Sequence, residues 1–251
     1  MSEFMGKTAI VSGAALGMGN LISRRLAEEG AKVLLTDIDL AKVEETAKAI
    51  QAKGGRAEAV RTDVRQYGEV ENAVNTAKEE FGSVDFLFNF AGGSPSRVFG
   101  RTESFAQRDP ALLEWGIDVN LRGALFFCRA VFPFMIENKG GVIVNIGSID
   151  GVTGSSAVEY SAAKSGMNGL TKSLALVGAS HGIRAVCVIP GPVLTRPEMA
   201  NMKTLLGRAG KPEELVDFIL FLCSDKAAFI TGSSHLIDGG RACGAMSCTR
   251  P

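Results

Sequence analysis

The sequence predicts an α/β fold in which a doubly wound parallel sheet carries helices on both faces. Short β-type runs alternate with longer helix-like stretches from one end of the chain to the other. Most of the short runs are apolar throughout rather than alternating, which is typical of parallel strands covered on both faces. A glycine-rich loop follows the first run and leads into the first helix-like stretch.

The pattern predicts five strands and marks several helices between them. The predicted strands are 8–12, 32–36, 84–88, 141–146 and 185–189. The clearest helix-like stretches are 19–29, 40–53 and 69–81. The 251 residues contain no repeat, no low-complexity tract and no linker-like shift in composition, so we predict one domain, 1–251.

Two irregular stretches interrupt the alternation. Residues 92–110 contain glycine, proline, serine and three arginines, and residues 196–210 contain proline and two methionines. Each stretch follows a predicted strand, which places both at the carboxyl edge of the sheet, where ligands of open α/β sheets bind. We interpret them as substrate loops, although each could be a solvated connection. Residues 241–251 form a C-terminal tail.

The composition excludes several classes of partner. The 27 Lys and Arg residues balance the 27 Asp and Glu residues, so no bulk charge favours nucleic acid or an anionic membrane. The five cysteines form no CxxC pair and no metal-ligand cluster with the two histidines, which indicates reduced thiols and no metal site. We see no signal peptide at the N-terminus and no apolar run near the roughly 20 residues of a membrane span. We therefore expect a soluble, cytoplasmic protein.

The loop of residues 12–19 has the composition of a phosphate cradle. Its glycines allow a sharp turn and a close approach of the backbone, and the following helix offers unpaired N–H groups and a positive dipole. Asp37 ends the second predicted strand, where a carboxylate can accept hydrogen bonds from both adenosine ribose hydroxyls and repel a 2′-phosphate. Leu16 and Ile38 offer no cation for such a phosphate. These residues predict NAD rather than NADP, although Asp37 could also be a helix cap.

A tyrosine and a lysine, Tyr160 and Lys164, stand about one helical turn apart. A free tyrosine titrates near ~10, and a lysine charge about 4 Å away could favour its phenolate by roughly 4 kcal/mol. We therefore expect Lys164 to lower the pKa of Tyr160 toward neutrality. Taken alone, the pair is better interpreted as an ordinary surface tyrosine and lysine on a helix.

Together with its other motifs, the chain resembles the short-chain dehydrogenase/reductase family over nearly its whole length, which implies a Rossmann-like fold. Ser12 and the following loop match Thr-Gly-x3-Gly-x-Gly, and residues 160–164 match Tyr-x3-Lys. Residues 89–92 are similar to Asn-Asn-Ala-Gly, with Phe90 in place of the second asparagine. The resemblance implies a cofactor site formed by Gly13, Leu16, Gly17, Met18, Gly19, Asp37, Ile38, Asp63, Val64, Asn89, Ala91, Gly92, Tyr160, Lys164, Pro190, Val193 and Thr195.

The resemblance also implies a catalytic set of four residues. Tyr160 would be the general acid/base, and Lys164 would tune its pKa and bond the nicotinamide ribose. Ser148 would orient the substrate oxygen, and Asn120 would hold a water of a proton relay. From the residues alone, Asn120 could instead be a locally satisfied buried amide, and Ser148 a strand-end turn residue. Hydride passes directly between nicotinamide and a substrate carbon, so no metal is needed.

The substrate is an alcohol or ketone that the sequence does not specify further. We expect Ser148, Asp150 and Tyr160 to contact it, with solvent exposure as the alternative for Asp150. The three arginines of 92–110 could attract a carboxylate or phosphate, but we expect a solvated loop. Polyol, sugar, hydroxysteroid and hydroxyacyl substrates all stay open, as do the physiological direction and the stereochemistry.

Two further hypotheses concern assembly and class. Small residues along 161–169 keep one helix thin, and the family commonly uses this helix for subunit contacts, so we expect a homo-oligomer, most simply a tetramer. The leading function is an NAD-dependent alcohol dehydrogenase or ketone reductase. A 3-oxoacyl-thioester reductase and a non-catalytic NAD-binding regulator are the alternatives.

Overall fold

The computed structural model describes residues 4–243 and shows one seven-stranded parallel sheet. In chain order the strands are Thr8–Ser12 (β1), Lys32–Asp37 (β2), Arg56–Arg61 (β3), Phe86–Asn89 (β4), Gly141–Ile146 (β5), Ile183–Pro190 (β6) and Ser234–Ile237 (β7). Their order across the sheet is β3-β2-β1-β4-β5-β6-β7, and every neighbouring pair is parallel. The predicted doubly wound α/β class is confirmed.

Helices cover both faces of this sheet. They are Gly17–Glu28 (α1), Leu40–Gln51 (α2), Tyr67–Phe81 (α3), Pro95–Val98 (α4), Pro110–Ile117 (α5), Gly123–Glu137 (α6), Asp150–Thr153 (α7), Val158–Gly178 (α8) and Pro212–Cys223 (α9). One apolar layer joins α1, α2 and α9 to the sheet, and the other joins α3, α6 and α8. Successive β1 residues enter opposite layers, Ile10 on the side of α3 and Val11 on the side of α1. This two-sided burial explains why the central strands are apolar throughout.

Two strands that the sequence pattern did not predict lie at the edges of the sheet. The sequence of β3, RAEAVR, is mostly charged or alternating, and β7 is a four-residue strand with alternate residues exposed. An edge strand is covered less completely than a central one, so its sequence lacks the continuous apolar run used to find the others.

The order of the strands places a crevice at the carboxyl edge of β1 and β4. The chain leaves β1 toward β2 on one side, and it passes from β4 to β5 on the other. At such a reversal the connections after the two strands diverge and leave room for a ligand. The glycine-rich loop follows β1, and residues 92–110 follow β4, so both predicted ligand segments border this crevice.

One helical segment of the described chain, Pro110–Glu137, is long and apolar enough to cross a membrane by length and composition alone. It comprises α5, a π-helical turn and α6. Of the 18-residue stretch of this segment that is apolar enough, 44% is buried inside the protein. Phe127 and Val131 of α6 are fully buried in the core. A core helix of a globular protein passes the same test, so the segment is weak evidence for a membrane span.

The irregular stretches contain only short helical turns. Residues 92–110 include α4 and a 3-10 turn, and residues 196–210 include the 3-10 turn Pro197–Asn201. Of the predicted tail 241–251, residues 244–251 lie outside the described chain. Within residues 4–243, the four cysteines are free thiols and no cluster of potential metal ligands is found.

Candidate active site

The loop after β1 is packed so closely that two of its positions admit only glycine. A Cβ atom on Gly13, whose φ is +70°, would lie 2.6 Å from the backbone nitrogen of Ala91. A Cβ atom on Gly19 would collide with the carbonyl oxygen of Gly13. The loop therefore folds directly against the segment that follows β4, and its backbone forms one wall of a cavity of about 570 Å³.

The start of α1 faces this cavity without a side-chain cap. Leu16 occupies the N-cap position and makes no side-chain hydrogen bond, and the first turn contains no acidic residue. The first N–H groups of a helix have no partner within the helix and carry a partial positive charge. This uncapped start, beside a backbone free of side chains, fits a diphosphate.

Asp37 is held in place by two backbone donors at the far side of the same cavity. Its Oδ2 atom accepts a hydrogen bond from the Ala15 N–H at 3.1 Å, and its Oδ1 atom accepts one from the Asp39 N–H at 3.1 Å. Asp39, rather than Asp37, caps α2 through the N–H of Lys42. The helix-cap alternative for Asp37 is therefore wrong, and its carboxylate faces the cavity.

A lysine that sequence reasoning overlooked also lines this end of the cavity. The Lys42 Nζ atom lies 2.6 Å from the Asp39 carboxylate, whose hydrogen bond raises the pKa of Lys42. The expectation that no cation lies here is therefore incomplete. Lys42 is paired with Asp39 and also feels the charge of Asp37, so two carboxylates share one ammonium and the local charge stays negative.

Asp63 and Val64 line the cavity as expected, but the Asp63 carboxylate is already paired. The guanidinium of Arg65 donates to both of its oxygens, at 2.6–3.1 Å, and these hydrogen bonds lower the pKa of Asp63. Val64 is buried against Gly123 at the start of α6. The two residues therefore contribute a neutral ion pair and an apolar surface.

Asn89 does not line either of the two cavities, and its expected contact with the cofactor stays a prediction. Its side chain is buried within the sheet, where the amide donates to the Asn145 Oδ1 atom at 2.8 Å. Asn145 donates in turn to the Thr171 hydroxyl on α8 at 3.0 Å. Asn89 thus links the carboxyl end of β4 to β5 and, through Asn145, to α8, and it acts on the site only through the backbone that follows it.

A second cavity of about 320 Å³ adjoins the first and contains the predicted catalytic side chains. The walls of this smaller cavity include Ser148, Asp150, Tyr160 and Lys164. Most of the residues predicted to bind the cofactor line one or both cavities. Those on the walls of the larger cavity are Gly13, Leu16, Gly17, Met18, Gly19, Asp37, Ile38, Asp63, Val64, Ala91, Gly92 and Thr195. Those on the walls of the smaller cavity are Met18, Gly92, Tyr160, Lys164, Pro190, Val193 and Thr195. The shared residues make the two cavities one continuous site.

Lys164 is buried between these cavities and the sheet. Its Nζ atom donates to the Ile146 carbonyl oxygen at 2.8 Å and lies 5.7 Å from the centroid of the Tyr160 ring. Burial lowers the pKa of Lys164 to about 8. A Cβ atom on Gly92 would lie 3.2 Å from Nζ and 2.5 Å from the Asn120 Oδ1 atom, and the second contact is the one that requires a glycine there.

The pKa of Tyr160 departs from the sequence-based expectation. Burial of the phenol raises its pKa, and the nearby Asp150 carboxylate acts in the same direction. A hydrogen bond with Ser148 and the charges of Arg97 and Arg196 act against this increase. The expected fall in pKa is wrong for this structure, because burial of the phenol outweighs the Ser148 hydrogen bond and the charges of Arg97 and Arg196.

Asn120 lies behind the cavities rather than on their walls. It belongs to the π-helical turn Asp118–Arg122, a local widening of the helix that is frequent at functional sites. Its Oδ1 atom accepts from the Gly93 N–H at 2.9 Å, and its amide donates to the carbonyls of Gly93 and Gly116 at 2.9 Å. This is the locally satisfied arrangement that the sequence left open, and the relay role stays a prediction.

Asp150 is half-buried at the reactive end, which decides against the solvent-exposed alternative. Burial raises its pKa, opposed by the charge of Arg241 and a hydrogen bond with Ser155. Its own N–H donates to the Ser148 Oγ atom at 3.2 Å. The turn that holds Asp150 therefore also orients the Ser148 hydroxyl.

The three arginines of residues 92–110 have different environments. Arg97 and Arg101 are both exposed, as expected for the whole stretch, but Arg97 also lines both cavities whereas Arg101 lines neither. The side chain of Arg108 is buried and donates to both oxygens of the Glu159 carboxylate at 3.0 and 3.1 Å. The solvated-loop expectation is therefore wrong for Arg108.

Comparisons with known proteins agree with this geometry. A family model described as enoyl-(acyl carrier protein) reductase matches residues 13–242. The chain belongs to this family, a branch of the short-chain dehydrogenases/reductases, and is an oxidoreductase with a Rossmann fold.

Relatives of known activity span almost the whole chain. Cyclohexanol dehydrogenase of Acinetobacter sp. is 35% identical over 95% of this chain and 96% of its own length. A 3-alpha-(or 20-beta)-hydroxysteroid dehydrogenase of Mycobacterium tuberculosis is 39% identical over 96% and 92%. A solved 7 alpha-hydroxysteroid dehydrogenase, complexed with NADH and 7-oxo glycochenodeoxycholic acid, superposes with a TM-score of 0.86 at 29% identity and covers 95% of each chain.

The buried pair of Arg108 and Glu159 yields a stability prediction. Replacing Arg108 by methionine leaves the Glu159 carboxylate buried without its partner, because both side chains are more than nine-tenths buried. We expect Arg108→Met to lower the free energy of unfolding by about 3–5 kcal/mol, measured by urea denaturation followed by circular dichroism.

The matched control for this prediction is Arg208→Met, which removes an exposed two-pronged pair with Glu214. An exposed pair is worth about 0–1 kcal/mol. Equal losses of stability in the two variants would contradict the assignment of Arg108 as a buried clamp between the loop and α8.

Proposed function

We propose that the protein is an NAD-dependent oxidoreductase that transfers hydride between nicotinamide and a secondary alcohol or ketone. The observation that carries this proposal is the meeting of Ser148, Tyr160 and Lys164 at a cavity continuous with the glycine-rich loop. A sensor that only bound NAD would not need a partly buried phenol and hydroxyl beside a buried ammonium at this point. The relatives named above are dehydrogenases, which supports the same class.

In this proposal Tyr160 exchanges a proton with the substrate oxygen. The Ser148 hydroxyl, oriented by the N–H of Asp150, donates or accepts a hydrogen bond at the same oxygen. Bound nicotinamide supplies the hydride chemistry. Lys164 lies on the cofactor side of Tyr160 and would hold the nicotinamide ribose, and Pro190, Val193 and Thr195 would hold the rest of that half of the cofactor.

The choice of NAD over NADP rests on charge at the ribose end of the larger cavity. Lys42 is paired with Asp39 and Arg65 with Asp63, whereas Asp37 is held by backbone N–H groups alone. A fixed carboxylate there accepts hydrogen bonds from ribose hydroxyls and repels a 2′-phosphate. This preference disfavours the 3-oxoacyl-thioester reductase alternative, since such enzymes typically use NADPH.

The substrate side of the proposal uses both irregular stretches. Residues 92–110 contribute Gly93, Ser94 and Arg97 to the smaller cavity, and residues 196–210 contribute Met199 and Met202. We propose that these stretches are the substrate loops of one catalytic domain. The named relatives act on a cyclic alcohol and on hydroxysteroids, which supports a secondary alcohol on a ring as the substrate.

We also propose a cytoplasmic homo-oligomer, most simply a tetramer. On α8 a side chain at Gly169 would point into open space, and Leu176 is 80% exposed on the same helix. A thin helix surface with an exposed large apolar residue fits contact with another copy of the chain. The free thiols of the described cysteines fit a reducing compartment.

The acid/base role predicts the behaviour of Tyr160→Phe. We expect this variant to lose nearly all turnover, at least ~1000-fold in kcat, while its dissociation constant for NADH, measured by fluorescence titration, changes less than about threefold. Turnover close to that of the wild type would contradict the role.

The pH profile gives a second readout of the same role. Alcohol oxidation needs the Tyr160 phenolate, and burial raises the pKa of this phenol. Oxidation by the wild type should therefore accelerate as pH rises from neutral, whereas ketone reduction, which needs the protonated form, should not.

Cofactor choice is tested at Asp37. The variant Asp37→Asn keeps a side chain that can accept from the Ala15 N–H but removes the charge, so we expect the ratio of kcat/KM for NAD over NADP to fall about tenfold. Asp37→Arg should reverse the preference. The control is Glu44→Gln, which removes an exposed carboxylate of α2 outside both cavities and should leave the ratio unchanged. A wild-type protein that prefers NADPH would contradict the assignment of NAD as the cofactor.

A further inference from the structure

Two guanidinium groups face the reactive end of the site without a carboxylate between them. Arg97, from the loop after β4, and Arg196, from the loop after β6, line both cavities at their junction. Their positive charges oppose each other, and within residues 4–243 no acidic side chain forms an ion pair with Arg97. Two like charges at one junction repel each other, and an anionic ligand bound between them would offset this repulsion.

The position of Arg97 is fixed by the backbone of the site itself. A Cβ atom on Gly93 would lie 2.8 Å from an Nη atom of Arg97, so the guanidinium packs directly on this glycine. The Gly93 N–H is in turn held by Asn120. The guanidinium of Arg97 therefore lies against Gly93 at the wall of both cavities although the residue is exposed to solvent, whereas Arg101 of the same loop lines neither cavity.

Arg196 forms a weak ion pair with Glu198, which would compete with a bound anion. Its Nε atom lies 4.0 Å from the Glu198 carboxylate, and 37% and 75% of the two side chains are exposed. An ion pair of this length and exposure contributes little, so it does not neutralise Arg196. Both arginine charges act on the Tyr160 phenol, which places them within electrostatic reach of the reacting oxygen.

The other charged side chains of the smaller cavity leave its net charge positive. Lys164 is a third cation, and Asp150 is the one carboxylate among the residues that line the smaller cavity. Burial raises the pKa of Asp150, and Arg241 provides a charge of opposite sign beside it. The smaller cavity is thus a cationic site with apolar surface from Met199 and Met202.

We propose that Arg97 and Arg196 bind an anionic group of the substrate, so that the natural substrate is a secondary alcohol or ketone that carries a carboxylate, sulfate or phosphate. A guanidinium matches the paired oxygens of all three groups in a two-pronged hydrogen bond. The diphosphate of a cofactor has its own donors at the glycine-rich loop and the uncapped start of α1. This inference rests on the proposed function and adds the chemical class of its substrate.

A binding experiment tests the inference without relying on turnover. Calorimetric titration of the NADH-saturated protein with cyclohexanecarboxylate and with cyclohexanecarboxamide compares an anion with a neutral molecule of the same shape. We expect the carboxylate to bind about 10–100-fold more tightly, as charge-assisted hydrogen bonds require. Arg97→Met should remove most of this difference, and Arg97→Lys should restore part of it. The matched control is Arg101→Met, in the same loop but outside both cavities, which should leave the difference intact.

A kinetic experiment separates this inference from the proposed function. The kcat/KM values for 4-hydroxycyclohexanecarboxylate and its carboxamide should differ by a similar factor of about 10–100 in the wild type, and the difference should vanish in Arg97→Met. Three results would overturn the inference. The wild type could bind the two probes equally, Arg97→Met could lose activity on both substrates equally, or Arg97→Met could bind NADH more weakly.

Turnover of the carboxamide alone would keep the proposed function and reject the anionic substrate. No NAD reduction with any alcohol would reject the proposed function, while the calorimetry would still decide on the anion site.

Discussion

The ammonium of Lys164 is buried at the carboxyl edge of the sheet, and its solvation by protein groups constrains the whole site. Removing a cation from water costs several kcal/mol unless dipoles replace the lost solvent. Here the Ile146 carbonyl at the end of β5 accepts from Nζ at 2.8 Å, and the face of the Tyr160 ring lies 5.7 Å away. The remaining cost is visible in the pKa of Lys164, which burial lowers to about 8.

Several features of the fold follow from holding that charge in place. Gly92 must lack a side chain, because a Cβ atom would meet both Lys164 and the Asn120 Oδ1 atom. Asn120 in turn fixes Gly93, on which the Arg97 guanidinium packs. The chain after β4 is therefore shaped by α6, α8 and the glycine-rich loop together. A substitution at any of these contacts would move the reactive groups as well as the backbone.

Burial also decides how the charged groups of the site behave. The two cavities contain several cations, but those at the ribose end, Lys42 and Arg65, are each paired with a carboxylate. At one end the Asp37 carboxylate is held by backbone N–H groups, and at the other end lie Arg97, the weakly paired Arg196 and Lys164. This separation gives the site two different electrostatic preferences, for hydroxyl groups of a ribose and for an anion near Tyr160.

Much of the fold could be predicted from the sequence, because central parallel strands must be apolar on both faces. The bounds of β1 and β5 match the predicted ranges, whereas the edge strands β3 and β7 escaped notice because they lack that signal. The parts of the candidate site that could be predicted from the sequence are those in which a short motif fixes the local geometry. Examples are the glycine-rich loop and the pair of Tyr160 and Lys164.

The parts of the site that could not be predicted depend on contacts between distant segments. The contact of Arg97 with the cavity wall depends on how the loop after β4 folds over Gly93, and the burial of the Arg108 side chain depends on Glu159, 51 residues away. The sign of the shift in the pKa of Tyr160 depends on its burial, which spacing along a helix does not reveal. Asn89 was assigned to the cavity by its motif, yet it faces the interior of the sheet toward Asn145.

The most direct test of a buried ammonium at Lys164 is the pH dependence of stability. An unfolded lysine titrates near ~10.4 and the folded one at about 8, so the unfolded state binds more protons between these values and stability rises with pH across that window. The free energy of unfolding of the wild type, minus that of Lys164→Met, should therefore increase by up to about 3 kcal/mol between pH 7.5 and 10.5. Lys172→Met, an exposed lysine on the same helix, is the matched control. A difference between the wild type and Lys164→Met that stays constant over this range would contradict the account.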